Sequence, residues 1–295
     1  MTTDWAERLP TDFAFAECRE AWRMADAPQP PAAAGSALLT LQQVQLRQPG
    51  RSGASIGPFN LALQAGEHVA ILGPSGAGKS TLLKLMAGER PPQQGELRFD
   101  GRTLAGWSPA ALARRRAVLP QSHAVAFSLP VALVVGLGRV ALDHDPALAS
   151  VTGEALALAH AGHLTTRRFD TLSGGEQARV QLARVFAQLW DAQAGLLLVD
   201  EPLASLDPGL QFELLDAMQA FCRTRGHALV AVLHDINQAL AGFERLWLLQ
   251  QGRLMGDLPP NASALAPLEN LYGIQLRSVP GEDGRLAVLA RRRVA

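Results

Sequence analysis

Residues 73–80 read Gly-Pro-Ser-Gly-Ala-Gly-Lys-Ser, and this run constrains the fold of the chain more than any other feature. It follows the apolar run His68 to Leu72 and precedes a stretch with helical periodicity, Thr81 to Ala87. The pattern G-x-x-x-x-G-K-[ST] between a strand and a helix is typical of a phosphate-binding loop. Its glycines let backbone N–H groups wrap an anion, and the helix N-terminus adds partial positive charge. We therefore expect an α/β fold with a phosphate site beyond this strand.

The basic residue of this loop is unusual for the chain. Of 27 lysines and arginines, only Lys79 and Lys84 are lysines. A lysine suits a site that needs a compact point charge rather than a planar fork. We expect Lys79 to reach the β- and γ-phosphates of a nucleotide and Ser80 to ligate magnesium. The residues expected at the phosphate site are Gly73, Pro74, Ser75, Gly76, Ala77, Gly78, Lys79, Ser80 and Thr81.

Four short aliphatic runs predict strands buried on both faces of a mostly parallel sheet. They are His68 to Leu72, Ala117 to Leu119, Leu196 to Val199 and Ala228 to Leu233. The first runs into the phosphate loop, and the others lead to Gln121, to Asp200 and Glu201, and to His234. Ligands of open α/β sheets bind beyond the carboxyl ends of the strands, so we expect these ends to converge on one site.

A second phosphate site is indicated by residues 172–177, which read Leu-Ser-Gly-Gly-Glu-Gln. Ser173 and Glu176 form the pattern of a capping box at the start of an amphipathic helix. A cap does not require the two glycines, Gly174 and Gly175. Bare N–H groups at a helix N-terminus can bind a phosphate, so the chain carries two predicted phosphate-binding helix starts.

Composition excludes several other classes of protein. The 295 residues are 48% hydrophobic and carry a formal net charge of +0, which favours a globular chain and gives no global reason to bind nucleic acid. Cys18 and Cys222 lie far apart, so neither a disulfide framework nor a zinc site is indicated. The first residues lead into no apolar signal region, and the apolar runs are shorter than the roughly 20 residues of a membrane span. We expect an intracellular protein whose membrane role, if any, goes through a partner.

Together, these motifs resemble the nucleotide-binding subunit of an ABC transporter, over about residues 38–255. The resemblance implies that two copies dimerise head to tail, so that ATP on one phosphate loop is covered by the second helix start of the other copy. Ser173, Gly174 and Gly175 would then touch the γ-phosphate held by the partner. Asp207 would lie in the loop that joins the two sites.

Phosphoryl transfer to water needs magnesium, a positioned water and charge stabilisation on the γ-phosphate. Asp200, at the end of an apolar strand, is a natural magnesium partner, and Glu201 beside it is the candidate general base. The resemblance implies that His234 holds the γ-phosphate and orients the water. It implies that Gln121 senses both magnesium and the water.

The implied fold is a P-loop NTPase of ABC type, with a mostly parallel core sheet, an antiparallel β part and an inserted helical subdomain. We expect an N-terminal extension with a Pro/Ala-rich linker over 1–37 and a nucleotide-binding domain over 38–295. Within that domain we expect the helical subdomain over about 122–171 and a C-terminal tail over about 256–295. The apolar stretch Val125 to Leu137 fits either a permease surface or subdomain core.

One departure from the family pattern concerns the base of the nucleotide. The family usually has an aromatic residue near the end of the first strand that stacks on adenine. Residues 46–50 here read Leu-Arg-Gln-Pro-Gly and contain no aromatic side chain. Binding of adenine is therefore expected to depend more on contacts to the phosphates.

Further segments resemble importers of the iron-siderophore, cobalamin and haem class, and the haem importer ATPase most closely. They are Leu112 to Gln121, Gln181 to Trp190, Leu233 to Asn237 and Leu271 to Gly273. This resemblance implies a peripheral ATPase at the cytoplasmic face of the bacterial inner membrane. Its partners would be a second copy, membrane permease subunits and, indirectly, a substrate-binding protein, with no nucleic acid. Cobalamin or a ferric siderophore are the alternative cargoes, and a soluble ATPase of regulation or repair is the alternative from another class.

Overall fold

The computed structural model describes residues 37–47, 55–121, 128–142, 144–201, 206–280 and 286–292. The predicted N-terminal extension up to residue 36 lies outside these ranges. Residues 48–50, 125–127 and 202–205, which carried parts of the sequence predictions, lie outside them as well.

Strands and helices alternate through most of the described chain. The strands there are β1 (Leu39–Arg47), β2 (Ser55–Leu63), β3 (His68–Leu72), β4 (Gln94–Phe99), β5 (Arg102–Thr103), β6 (Arg116–Leu119), β7 (Leu196–Asp200), β8 (Ala228–Val232), β9 (Arg245–Gln250), β10 (Arg253–Leu258), β11 (Ile274–Pro280) and β12 (Leu286–Arg292). The α-helices there are α1 (Lys79–Met86), α2 (Pro109–Ala113), α3 (Val131–Gly136), α4 (Leu148–Leu158), α5 (Gly174–Leu189), α6 (Pro208–Arg225), α7 (Ile236–Gly242) and α8 (Leu265–Tyr272). The 3-10 turns there are Leu104–Gly106, Leu137–Arg139, Gly162–Leu164, Phe169–Thr171 and Ala262–Ala264.

The central sheet has six strands in the order β10-β9-β3-β8-β7-β6. Its strands from β9 to β6 run parallel, and β10 pairs antiparallel with β9 at one edge. Every residue of β3, β7 and β8 is buried, as continuous aliphatic runs predict for strands covered on both faces. The four strands predicted from sequence are thus confirmed, although the last one ends a residue early, at Val232. The prediction that all four are buried on both faces is wrong for β6, an edge strand in which half-buried and buried residues alternate.

A second sheet is antiparallel, with the order β2-β1-β4-β5. Strands β11 and β12 form a separate antiparallel hairpin, in which Ser278 pairs with Val288. A mostly parallel sheet and an antiparallel part therefore occur together, which confirms the predicted fold class.

The chain divides into two compact units. Among the described residues, the first unit comprises 105–115, 128–142 and 144–192, and the second comprises 37–47, 55–104, 116–121, 193–201, 206–280 and 286–292. The first unit contains helices α2 to α5, and the second contains both sheets, the β11–β12 hairpin and the remaining helices. The limits predicted for the extension, the helical subdomain and the tail remain predictions.

The helical unit is held by an apolar core and a buried ion cluster. Val131 and Val135 of α3 are fully buried and belong to this core, whereas Leu133 and Leu137 of the same apolar stretch are half-buried. Arg139 is buried and contacts two carboxylates, Asp145 with Nε at 2.5 Å and Asp191 with Nη1 at 2.7 Å. The hydrogen bond from Arg139 lowers the pKa of the Asp145 carboxyl. A buried guanidinium is tolerated here because it has two anionic partners.

Candidate nucleotide-binding site

The phosphate loop connects β3 to α1 and leaves the first turn of that helix open. The residue before α1, Gly78, is left-handed (φ 100°), and no side chain caps the helix. Gly76, in the middle of the loop, also has a positive φ of 75° and is exposed. The N–H groups of the first turn of an α-helix have no partner within the helix. Here they are available to an anion, and the helix dipole favours one.

The start of the loop is tightly packed. A Cβ atom on Gly73 would stand 2.2 Å from the carbonyl oxygen of Leu249, so any larger residue would displace backbone. Ala77 is buried, and its carbonyl accepts a hydrogen bond from Gly252 N–H at 2.9 Å. Of the remaining predicted loop residues, Ser75 is exposed, and Pro74, Ser80 and Thr81 are half-buried. The loop is thus anchored at its base and open at its tip.

Lys79 is the first residue of α1, and its side chain crosses back over the loop. Only 5% of it is exposed, and Nζ donates to the carbonyls of Gly73 at 2.9 Å and Pro74 at 3.3 Å. Nζ also lies 3.5 Å from Oε1 of Glu201. The lysine charge is therefore held at the loop, next to the end of β7.

Ser80 and Asp200 form a pair that suits a magnesium ion. The Ser80 hydroxyl donates to Oδ1 of Asp200 at 2.9 Å, and Asp200 is buried at the last position of β7. Burial raises the pKa of the Asp200 carboxyl, because desolvation disfavours its charged form. One hydroxyl and one carboxylate are the hard oxygen ligands that Mg²⁺ takes alongside substrate phosphates and water. Within the described residues, no group of three acidic, His or Cys side chains forms a metal cage, and a nucleotide-bound Mg²⁺ does not need one.

Glu201 lies at the centre of the polar side chains beyond the sheet. His234 Nε2 is 2.8 Å from its Oε1, and Gln121 Nε2 donates to its Oε2 at 3.3 Å. Together with Lys79, these residues reach Glu201 from the ends of three other strands, β3, β8 and β6. Glu201 has a positive φ of 46°, a conformation that costs free energy for a residue with a Cβ and is common at active sites.

The predicted convergence of strand ends is therefore present in the structure. The unit that contains the central sheet also contains the phosphate loop and the four residues at the strand ends, Asp200, Glu201, His234 and Gln121. Glu201 is only 15% exposed, whereas His234 is 54% exposed and Gln121 is exposed. A carboxylate surrounded by a lysine, a histidine and an amide can accept a proton from water and be held in place while it does so.

The second predicted phosphate site is the N-terminus of α5, in the helical unit. Its capping box is complete: Ser173 N–H donates to Oε2 of Glu176 at 2.8 Å, and Glu176 N–H donates to the Ser173 hydroxyl at 3.3 Å. The bond from Ser173 N–H lowers the pKa of the Glu176 carboxyl. Gly174 is exposed and nothing lies within 4 Å of the position of its missing Cβ, whereas Gly175 is half-buried. The glycines leave the backbone of this helix start accessible.

Asp207 serves as the N-terminal cap of α6. Its carboxylate accepts a hydrogen bond from Leu210 N–H at 3.0 Å, and Pro208 follows as the first helical residue. This cap accounts for the local role of Asp207, and its predicted role between two sites depends on a second copy.

Two further contacts, one at the phosphate loop and one in the helix that follows His234, were not predicted from sequence. The Tyr272 hydroxyl accepts a hydrogen bond from Gly73 N–H at 2.9 Å, and Asn237 binds the backbone of Val288. Tyr272 is the only tyrosine of the chain. Its segment, Leu271 to Gly273, was noted only for its resemblance to importer ATPases, because a contact between positions 199 residues apart leaves no local pattern.

No helix in the described parts of the chain is long and apolar enough to cross a membrane.

Comparison with known proteins identifies the family. Residues 56–204 match the model of the ABC transporter family. The hemin import ATP-binding protein HmuV of Pseudomonas aeruginosa is 42% identical over 245 residues, covering 81% of this chain and 94% of the relative. The protein of the same name from Bordetella pertussis is 43% identical over 252 residues, covering 82% and 96%.

Solved structures show the same fold. A chain from an inward-facing metal-chelate type ABC transporter superposes with a TM-score of 0.73 at 22% identity, covering 88% of this chain and 99% of its own. CbiO1 from Clostridium perfringens, part of the ABC transporter complex cbiONQ, superposes with a TM-score of 0.67 at 24% identity, covering 80% and 93%. The phosphate loop, the strand-end cluster, the family match and the high coverage of its relatives agree, and the chain belongs to the ABC transporter ATPases.

Proposed function

We propose that this chain is the ATP-hydrolysing subunit of an importer that takes up haem through a separate membrane permease. Haem as the cargo is supported by the 42–43% sequence identity, over four-fifths of the chain, to proteins named hemin import ATP-binding proteins. ATP hydrolysis is supported by the cluster of Lys79, Gln121 and His234 around Glu201. Haem itself need never touch this subunit.

Binding of ATP uses the open start of α1. The N–H groups of the loop and of the first helical turn take the phosphates, since no side chain caps them. Lys79 exchanges its hydrogen bonds to the carbonyls of Gly73 and Pro74 for bonds to phosphate oxygens. These bonds are stronger because the acceptor is charged.

Ser80 and Asp200 would hold the magnesium ion of the nucleotide. Their hydroxyl and carboxylate are already 2.9 Å apart and contribute oxygen ligands. When bound, Mg²⁺ neutralises charge on the phosphate oxygens. A cation at this position also offsets the burial that raises the pKa of Asp200.

Hydrolysis is attack of water on the γ-phosphorus. As the new P–O bond forms, the bond from the γ-phosphorus to the bridging oxygen breaks, and ADP leaves with that oxygen. The water proton goes to a carboxylate oxygen of Glu201. His234 and Gln121, which contact the two oxygens of Glu201, keep the carboxylate oriented, and His234 stabilises the γ-phosphate charge.

Transport requires a second copy and a permease. We infer that two copies close head to tail, with Ser173, Gly174 and Gly175 of one copy against the γ-phosphate on the other and Asp207 in the loop between the sites. The complete cap and exposed backbone of α5 support this, because they present N–H groups without needing a ligand to stay folded. ATP would close the dimer, and phosphate release would reopen it. The subunit would sit peripherally at the cytoplasmic face of the inner membrane.

The test is the ATPase rate of the chain assembled with its co-purified permease in lipid. Binding protein is added loaded in turn with haem, cobalamin or a ferric siderophore. We expect stimulation by the haem-loaded form alone, and no stimulation in a matched complex that carries Glu201→Gln.

Other outcomes separate the parts of the proposal. Stimulation by cobalamin or the siderophore keeps the importer mechanism and discards haem. If no permease is recovered and the chain stays out of membrane fractions, the result favours a soluble ATPase of regulation or repair over an importer.

A further inference from the structure

The described C-terminal segment, defined here as residues 265–280 and 286–292, contacts the phosphate loop through the side chain of Tyr272. The hydroxyl of Tyr272 accepts a hydrogen bond from Gly73 N–H at 2.9 Å in a partly buried position. Tyr272 ends α8, where Leu268 and Leu271 are buried, so packing fixes the direction of the helix. Gly273 follows in a left-handed conformation (φ 65°) and turns the chain into β11. The position of the hydroxyl is therefore set by the fold of the segment.

The peptide units around Gly73 are held from two sides. Its N–H is bound by Tyr272, and its carbonyl accepts from Nζ of Lys79 at 2.9 Å. The same residue packs so closely against the Leu249 carbonyl that no Cβ fits. A shift of Gly73 therefore moves the carbonyl oxygen that accepts the hydrogen bond from Nζ of Lys79. Tyr272 is thus connected to the phosphate-binding lysine through a single residue.

A second contact ties the same segment to the histidine side of the site. Asn237 makes two hydrogen bonds to the backbone of Val288 in β12, donating to its carbonyl at 3.1 Å and accepting from its N–H at 2.8 Å. Asn237 lies in the first turn of α7, which begins just after His234. Val288 is buried, so this strand position is fixed by packing. The two hydrogen bonds of Asn237 therefore connect the first turn of α7, the helix that follows His234, to β12.

We propose that the C-terminal segment is a positioning element of the ATPase site, with Tyr272 fixing the phosphate loop and Lys79, and the Asn237–Val288 contact fixing α7 and His234. Both residues act through others and neither is a catalytic residue. The inference rests on the proposed binding and hydrolysis of ATP at this site.

The first test is Tyr272→Phe in the full-length chain, which removes the hydroxyl and keeps the ring. We expect the KM for ATP to rise about fivefold, or about 1 kcal/mol, with kcat unchanged, because the lost hydrogen bond weakens binding before and during reaction alike. Steady-state ATPase measurements over a range of ATP concentrations separate the two constants.

The matched control is Thr165→Val. It also removes a hydroxyl that makes a hydrogen bond, here to the Gly162 carbonyl at 2.7 Å, but this bond is exposed and lies in the helical unit. We expect the KM for ATP to stay at the wild-type value in this variant. A wild-type KM in Tyr272→Phe, or an equal rise in Thr165→Val, would overturn the role of the hydroxyl.

The second contact predicts the opposite kinetic signature. In Asn237→Ala, we expect kcat to fall about fivefold while the KM for ATP stays within about twofold, because His234 loses its support in the hydrolytic step. Unchanged kcat would remove this half of the proposal. If the wild-type chain itself neither binds nor hydrolyses ATP, the proposed function fails instead.

Because Tyr272 is the only tyrosine, incorporation of meta-fluorotyrosine places a single fluorine resonance on it. We expect this resonance to shift when a non-hydrolysable ATP analogue with magnesium saturates the wild-type chain, and to stay unchanged in Lys79→Ala. A resonance that does not respond to saturating nucleotide in the wild type contradicts the coupling.

Discussion

The helices α1 and α5 both begin at a predicted phosphate site, yet their first turns are built in different ways. α1 follows a left-handed glycine, Gly78, has no side-chain cap, and carries no acidic residue in its first turn. α5 follows Ser173 and has a complete capping box with Glu176. The same backbone groups are thus left unpaired at one helix and partly satisfied by side chains at the other.

This difference indicates which helix start depends on a ligand. At α1 the positive end of the helix dipole is joined by Lys79, so the loop gains most when an anion binds. At α5 the carboxylate of Glu176 accepts a hydrogen bond from Ser173 N–H and pairs with Arg167 at 2.9 Å, so the helix start is stable by itself. A self-capped helix start is what the proposed closure of two copies requires, because α5 would have to stay folded before it meets nucleotide.

The largest expected effect is on the rate of ATP hydrolysis, and it separates hydrolysis at Glu201 from binding of ATP at the start of α1. In Glu201→Gln the proton acceptor is lost while the loop is intact, so kcat should fall by about 10²- to 10⁴-fold and ATP affinity should be kept. Size-exclusion chromatography with ATP should show accumulation of a closed dimer. The control is Glu154→Gln, the same substitution at an exposed position of α4, which should hydrolyse normally. Hydrolysis at the wild-type rate would remove Glu201 from its role.

Next in size is the loss of the charge at α1. Lys79→Ala should lower ATP affinity by about 10- to 100-fold, because a hydrogen bond to a charged group contributes about 1.5–3 kcal/mol. Equilibrium binding of a fluorescent ATP analogue measures this. Lys84→Ala, at an exposed position on the same helix, is the control and should bind normally. Equal affinity in Lys79→Ala would break the distinction between the two helix starts.

A smaller effect tests whether α5 is stabilised by its own cap. Ser173→Ala removes the hydroxyl that accepts from Glu176 N–H and should lower the free energy of unfolding without nucleotide by about 1 kcal/mol. Denaturant unfolding followed by circular dichroism measures it. Ser150→Ala removes an exposed hydroxyl that donates to the Ala147 carbonyl, and should change the free energy of unfolding little. Equal stability of Ser173→Ala and wild type would mean that the cap does not matter to α5.

The smallest expected effect concerns pH and has opposite signs at the two sites. The pKa of Glu176 is lowered, so the unfolded state binds its proton more tightly, and the stabilisation is present above the unfolded pKa of 4.5 and lost as pH falls through the lowered value. The pKa of Asp200 is raised, so its contribution is lost as pH rises. The stability difference between wild type and Glu176→Gln should therefore exist near neutral pH and vanish in acid. Thermal melts over this range measure it, and a constant difference contradicts the assignment.

Local patterns predicted the parts of the site that local forces build. The aliphatic run before Asp200 became the buried β7, and the Ser173–Glu176 spacing became a real capping box. In both cases a few neighbouring residues determine the outcome, through burial in the first and hydrogen bonding in the second.

Contacts set by tertiary packing had no such signal. The Tyr272–Gly73 bond depends on where α8 packs, and the Arg139–Asp191 ion pair joins positions 52 residues apart in the helical unit. The positive φ of Glu201 is also a product of its surroundings, since nothing in the sequence marks a glutamate for that conformation. Sequence therefore supplied the chemistry of the site but not the residues that hold it in place.

The two lysines of this chain differ sharply in access. Lys79 is buried against the phosphate loop, whereas Lys84 is exposed near the end of the same helix. An amine-reactive dye or crosslinker will therefore attach to lysine at Lys84, apart from the amino terminus of the chain. A fluorophore attached to Lys84 in this way would lie on α1, the helix that begins at the phosphate loop. Its fluorescence could then be used to follow nucleotide binding without introducing a cysteine for labelling.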